Sequence, residues 1–179
     1  MTTENKGYNW TSIILHWLVA VMVIGLFASG FWMVDLSYYS TWYKTAPFWH
    51  KSVGVLLLIM MMYRLFWRIL NGTAAPLTSH SKVVQRASHF THLILYGLVF
   101  LIICSGYLIS TADGRPIEVF GLFDVPSAGE LFAEQADKAG LMHEFAAYSL
   151  IALAVLHAVA ALKHHFFDKD DTLKRMLKP

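Results

Sequence analysis

His143 and His157 stand fourteen residues apart on one apolar stretch. At about 100° per residue, fourteen steps bring a helix back to within about 40° of the same face. At about 1.5 Å per residue they separate two side chains by about 21 Å, two-thirds of the roughly 30 Å hydrocarbon core of a bilayer. One helix would thus offer an imidazole near each side of a membrane. His16 and His50 stand at the ends of other apolar stretches. Ionisable groups inside a membrane are costly, so each is a functional candidate.

The elements that must carry these residues follow from composition. The chain has 179 residues, 56% hydrophobic and 15% charged, against about 25% charged in soluble domains. This reads as one integral membrane domain over residues 1–179, an all-α four-helix bundle. Four stretches reach the required length of about 20 residues: 11–34, 48–70, 88–110 and 142–167. The first continues too far to be the short apolar region of a signal peptide. The connection over 111–141 holds Gly114, Pro116, Pro126 and Gly129 as breakers, and its part around 129–140 reads as a short surface helix. Cys104, the only cysteine, excludes an intramolecular disulfide, a thiolate-held iron–sulfur cluster and haem attachment through Cys-x-x-Cys-His. No feature points to nucleic acid.

Charge sets the expected orientation. Lys6, Arg64, Arg68, Lys82, Arg86, Lys163, Lys169, Lys174, Arg175 and Lys178 fall on one side; Lys44, Lys51, Arg115 and Lys138 fall on the other. The positive-inside rule puts the first side, with both termini, in the cytoplasm. Depth then pairs His50 with His143 outside and His16 with His157 inside. Bis-imidazole ligation of two haem b groups uses all four and favours electron transfer over oxygen binding. A zinc or copper site is the rival, but no carboxylate or thiolate lies at a depth that completes a tetrahedral shell.

Other residues surround this proposal. Gly25, Gly30 and Gly54, with Ala146, Ala147, Ala158, Ala160 and Ala161, open space for macrocycles or serve ordinary helix packing. Arg64, fourteen residues past His50, falls at the depth of the inner pair, and with Arg68 suits haem propionates. Arg68 equally suits snorkelling to the interface. His89, His92 and His164, with Lys82 and Arg86, read either as donors to a quinone or as solvation of the interface. His80 reads as an exposed loop residue.

These blocks resemble the bacterial cytochrome b561 family of four-helix di-haem membrane proteins. The resemblance rests on Ser12-Ile13-Ile14-Leu15-His16-Trp17-Leu18, on His50 followed by Ser52 and Gly54 with Tyr63-Arg64-Leu65, and on Ala87-Ser88-His89-Phe90-Thr91-His92-Leu93. It extends through His143-Glu144 to His157, Ala160-Ala161-Leu162-Lys163-His164-His165-Phe166 and Asp170-Asp171-Thr172-Leu173-Lys174-Arg175-Met176. The spacing is also similar to that of cytochrome b subunits of membrane formate dehydrogenases and nickel–iron hydrogenases. The resemblance implies haem ligation by the same four histidines, a quinone near the inner haem, and a superoxide:ubiquinone oxidoreductase. Superoxide is an anion, and the outer side is net acidic, so Lys51, Arg115 and Lys138 are the candidates for a local funnel. An electron-transfer subunit docked to a periplasmic dehydrogenase or hydrogenase, and a relay cytochrome without turnover, are the competing functions. Monomer and dimer are both open.

Overall fold

The structure is a computed structural model that describes residues 7–72, 74–77 and 79–179. Lys6, counted above on the basic side, lies outside the described residues. Four helices dominate: α1 (Trp10–Met33), α2 (Thr45–Asn71), α3 (Lys82–Thr111) and α4 (Gln135–Phe166). Each is long and apolar enough to cross a membrane. The start of α1 is capped by Asn9, which accepts from the Ser12 amide at 2.9 Å, and that of α3 by Ser81. The chain is a multi-pass membrane protein, and its outward faces are what lipid requires. Ile14, Val21, Ile24, Phe90, Leu93, Phe145 and Leu156 are all exposed.

The helices run past the expected spans. α3 starts six residues before Ser88 and α4 seven before Met142. At about 1.5 Å per residue they reach about 45 Å, so their ends project beyond the hydrocarbon core. The segment over 129–140 is therefore not a separate surface helix; from Gln135 onward it is the start of α4, entered through Glu134 at φ 58°. Gln135 fixes that entry: its buried amide donates to the Leu108 carbonyl at 2.9 Å and accepts from the Leu131 amide at 2.7 Å.

The connection before α4 also folds into a hairpin, β1 (Ile117–Val119) antiparallel to β2 (Phe123–Val125). Its turn puts Phe120 at φ 52° and Gly121 at φ 70°, the left-handed region that primed hairpin turns need. Only glycine adopts that region freely, and Phe120 is held there by its amide donating to Ser52 of α2 at 3.0 Å.

Packing is most extensive between α3 and α4 and between α1 and α2, with α2–α3 and α1–α4 contacts closing the bundle. The hairpin lies on α2 and marks one end, the hairpin end. The other is the terminal end: Trp17 donates to the Met176 carbonyl at 2.7 Å, and Arg175 to the Ala75 carbonyl at 2.9 Å. Both chain termini and the α2–α3 connection therefore share it. Between the ends, Leu57, Met61, Val99 and Leu150 form a buried apolar layer. Leu150 lies seven residues from both His143 and His157, and Leu57 seven from both His50 and Arg64.

Candidate functional site

Two imidazole pairs lie on opposite sides of that layer. At the hairpin end, the rings of His50 on α2 and His143 on α4 are 6.3 Å apart, centre to centre. At the terminal end, those of His16 on α1 and His157 on α4 are 6.4 Å apart. These are the pairs expected from depth. A metal–imidazole bond of about 2.0 Å, plus roughly 1.15 Å from nitrogen to ring centre, sets two axial imidazoles about 6.3 Å apart. Both pairs fit that requirement, and apolar surroundings suit a macrocycle.

At the hairpin end the rings are held through hydrogen bonds from the neighbouring helix. His143 Nδ1 donates to the Ile102 carbonyl at 2.9 Å and lies 3.2 Å from Ser105 Oγ. His50 Nδ1 lies 3.0 Å from Ser29 Oγ. Ser29 spends its own hydrogen on the Leu26 carbonyl, so its oxygen accepts from His50. Both histidines therefore carry hydrogen on Nδ1 and keep the Nε2 lone pair for a metal, the usual arrangement behind a ligating imidazole. Each ring also sits against a glycine. A Cβ on Gly30 would meet His50 Cε1 at 3.3 Å, and one on Gly106 would meet His143 Cε1 at 3.1 Å. Sequence reasoning named Gly30 but missed Ser29, Ser105 and Gly106. The available signal was a repeated Ser-Gly dipeptide, once on α1 and once on α3.

The terminal end is more polar. Arg64 of α2 donates to the Tyr96 hydroxyl at 2.8 Å and lies 3.3 Å from His16 Nδ1. Guanidinium only donates, so His16 Nδ1 accepts here, opposite to the hairpin-end histidines. Arg68 stands over the Tyr96 ring. His92 of α3 brings a third imidazole, 5.2 Å from His157 between ring centres.

The remaining candidates divide. Lys82, Arg86 and His89, with Gln85 and Phe90, line an open cleft of about 690 Å³ at the start of α3. His164 belongs elsewhere: its Nδ1 lies 2.8 Å from Asp168 and 3.1 Å from Asp170. His80 is not an exposed loop residue. It is half-buried and contacts Asp170 at 2.7 Å, because the C-terminal tail folds back onto the α2–α3 connection. The Asp170 carboxyl is held well below the usual range; burial opposes this, and hydrogen bonds from Thr172 and His80 outweigh it. Of the three cations of the expected funnel, Arg115 is paired with Asp113, and Lys138 lies 3.4 Å from Glu134. Lys51 is half-buried one residue past His50. Hydrogen bonds from Arg115 hold the Asp113 carboxyl below its ordinary range.

A membrane-spanning helix bundle with paired intramembrane imidazoles defines the class of membrane b-type cytochromes. Comparison with known proteins agrees. The prokaryotic cytochrome b561 family matches residues 7–179. Cytochrome b561 homolog 2 of Escherichia coli (strain K12) is 51% identical over 176 residues, 98% of this chain and 94% of that protein. Probable superoxide oxidase CybB of Yersinia pestis is 30% identical over 177 residues, 97% of each chain. Cytochrome b562 of Cereibacter sphaeroides is 27% identical over 182 residues, 99% of each chain. This chain belongs to the prokaryotic cytochrome b561 family, membrane electron-transfer proteins that carry haem b and act with quinones.

Proposed function

We propose that this protein is a di-haem membrane oxidoreductase that takes electrons from superoxide on the outer side of a bacterial inner membrane and delivers them to ubiquinone. The observation that carries the reading is the two imidazole pairs at 6.3 and 6.4 Å, one on each side of an apolar layer. The excess of Lys and Arg at the terminal end supports a cytoplasmic location for it and for both termini.

In this reading His50 and His143 hold one haem, and His16 and His157 the other. When bound, haem b supplies reversible one-electron chemistry. Ser29, Ser105 and the Ile102 carbonyl orient the hairpin-end rings. Ligation through His16 Nε2 would leave its Nδ1 a hydrogen to donate, so Arg64 must turn away. Its guanidinium, with Arg68, is then available to a propionate. Ubiquinone is assigned to the terminal end, where Lys82, Arg86 and His89 offer donors for its carbonyl oxygens and His92 a group that can exchange a proton. Lys51, Arg115 and Lys138 are assigned to attracting superoxide. The name of the Yersinia relative supports that donor.

A second reading, an electron-transfer subunit docked to a periplasmic enzyme, is favoured by exposed apolar residues at the hairpin end. Tyr39 is 94% exposed and Leu122 80%.

The test is the visible spectrum of detergent-purified protein through a superoxide pulse, first without and then with ubiquinone. Two haems per chain, reduced by superoxide and reoxidised by quinone, are expected. Two haems that superoxide leaves oxidised would transfer the assignment to the docked subunit.

A further inference from the structure

A second cluster of ligating groups stands at the terminal end, apart from the four histidines above. It joins three segments: His80 from the α2–α3 connection, His164 from the last turn of α4, and Asp170 from the C-terminal tail. Their ligand atoms all lie within 4.8 Å of one another. His80 Nε2 and His164 Nδ1 approach the same oxygen, Asp170 Oδ2, at 2.7 and 3.1 Å. Asp168 Oδ2 lies 2.8 Å from His164 Nδ1 at the edge of the cluster, where it also accepts from Lys163 Nζ at 2.6 Å.

Two features distinguish this from an ordinary ion-pair cluster. First, His164 Nδ1 is buried and makes no aligned hydrogen bond, although two carboxylate oxygens lie within reach. His80 Nε2 is hydrogen-bonded to Asp170 Oδ2, so His164 Nδ1 is the buried ligand atom of the cluster left without such a bond. Second, Asp170 is pre-oriented: its other oxygen accepts from the Thr172 amide at 2.8 Å, which aims Oδ2 at the two imidazoles. The loop carrying His80 is likewise fixed, since Gln85 donates to the His80 carbonyl at 2.9 Å. Outer contacts of this kind orient metal ligands.

We propose that His80, His164 and Asp170, with Asp168 at the rim, bind one divalent transition-metal ion of the zinc class. Tetrahedral zinc with bonds of about 2.0–2.1 Å holds its ligand atoms about 3.3–3.4 Å apart, so the nitrogen–oxygen approaches of 2.7 and 3.1 Å would open as the ion takes its place between them. Two imidazoles favour zinc over calcium or magnesium, which select all-oxygen sets. Bound there, the ion would tie the C-terminal tail to the α2–α3 connection, beside the Arg175–Ala75 and Trp17–Met176 contacts.

The experiment uses haem-loaded protein in detergent, stripped with a chelator and titrated with Zn²⁺ against a fluorescent zinc chelator. One Zn²⁺ per chain is expected, with His80→Ala, His164→Ala and Asp170→Asn each weakening binding at least about 100-fold. His89→Ala, on the exposed cleft of the same end, should bind Zn²⁺ like the wild type. Retained Soret absorbance certifies that each variant is folded. Zinc X-ray absorption of the wild type should show two imidazoles with oxygen ligands. Wild-type protein without stoichiometric zinc, variants that bind as tightly as wild type, or a shell with fewer than two imidazoles would each overturn the site. None of these readouts depends on superoxide or quinone, so the site and the proposed activity stand or fall separately.

Discussion

At the hairpin end each imidazole is oriented by a Ser-Gly dipeptide of the preceding helix, whereas at the terminal end His16 meets a guanidinium and His157 a third imidazole. The first arrangement is neutral: hydroxyl and carbonyl dipoles fix the rings, and glycine leaves room for them. The second brings in a fixed positive charge and draws on all four helices, through His16, Arg64, His92 and His157. Similar imidazole pairs can therefore be set to different electrical environments by their neighbours. An uncharged dipolar site suits simple electron exchange. A charged site with extra imidazoles suits a partner whose protonation changes with its redox state.

The largest test breaks the pairing itself. His50→Ala and His143→Ala are expected to lose the same haem, and His16→Ala and His157→Ala the other. A pyridine haemochrome assay should read about half the wild-type haem per chain in each case. Should His50→Ala and His157→Ala lose the same spectral component, the two ends do not hold separate sites.

Glycine clearance sharpens the contrast. Gly106→Ala places a methyl 3.1 Å from His143, at a cost of about 1–3 kcal/mol for overpacking. It should lower the melting temperature of the haem-loaded protein and disturb only the hairpin-end spectrum. Gly30→Ala, at 3.3 Å, should do less.

Removing the fixed charge acts on the other end. Arg64→Gln should lower the reduction potential of the terminal-end haem, by about 1–2 kcal/mol in electron affinity, because a nearby cation favours the reduced state. Redox titration should find the hairpin-end component unmoved.

Serine deletions should be milder and unequal. Ser29→Ala removes the hydroxyl partner of His50 and should cost about 1 kcal/mol. Ser105→Ala should cost less, since His143 keeps the Ile102 carbonyl. Thermal melts of the two variants compare them directly.

The smallest effect belongs to the surface. Asp113→Asn releases Arg115 and should speed superoxide-driven reduction by less than about threefold at low salt, with the gain lost as ionic strength rises. Acidification mimics this only below the ordinary carboxylate range. Arg115 holds the Asp113 pKa down, so the pair persists until the pH falls through that depressed value.

Much of this design is legible in the chain. Span length, apolar outward faces, the fourteen-residue separation of His143 and His157 and the depth of each pair follow from helical rise and from the cost of charge in lipid. These are properties of one segment in one solvent. The hairpin was hidden because its turn seats Phe120 at positive φ, held there by tertiary contacts with Ser52 and Trp49 of α2. His80 read as exposed because its partner, Asp170, is ninety residues away. Likewise, no spacing along α3 shows that Gly106 faces His143 or that His92 approaches His157. The sequence by itself determined what each helix must bury and how far apart its histidines stand. Which groups then meet was decided by how each helix is rotated against its neighbours, a choice made by packing over the whole bundle.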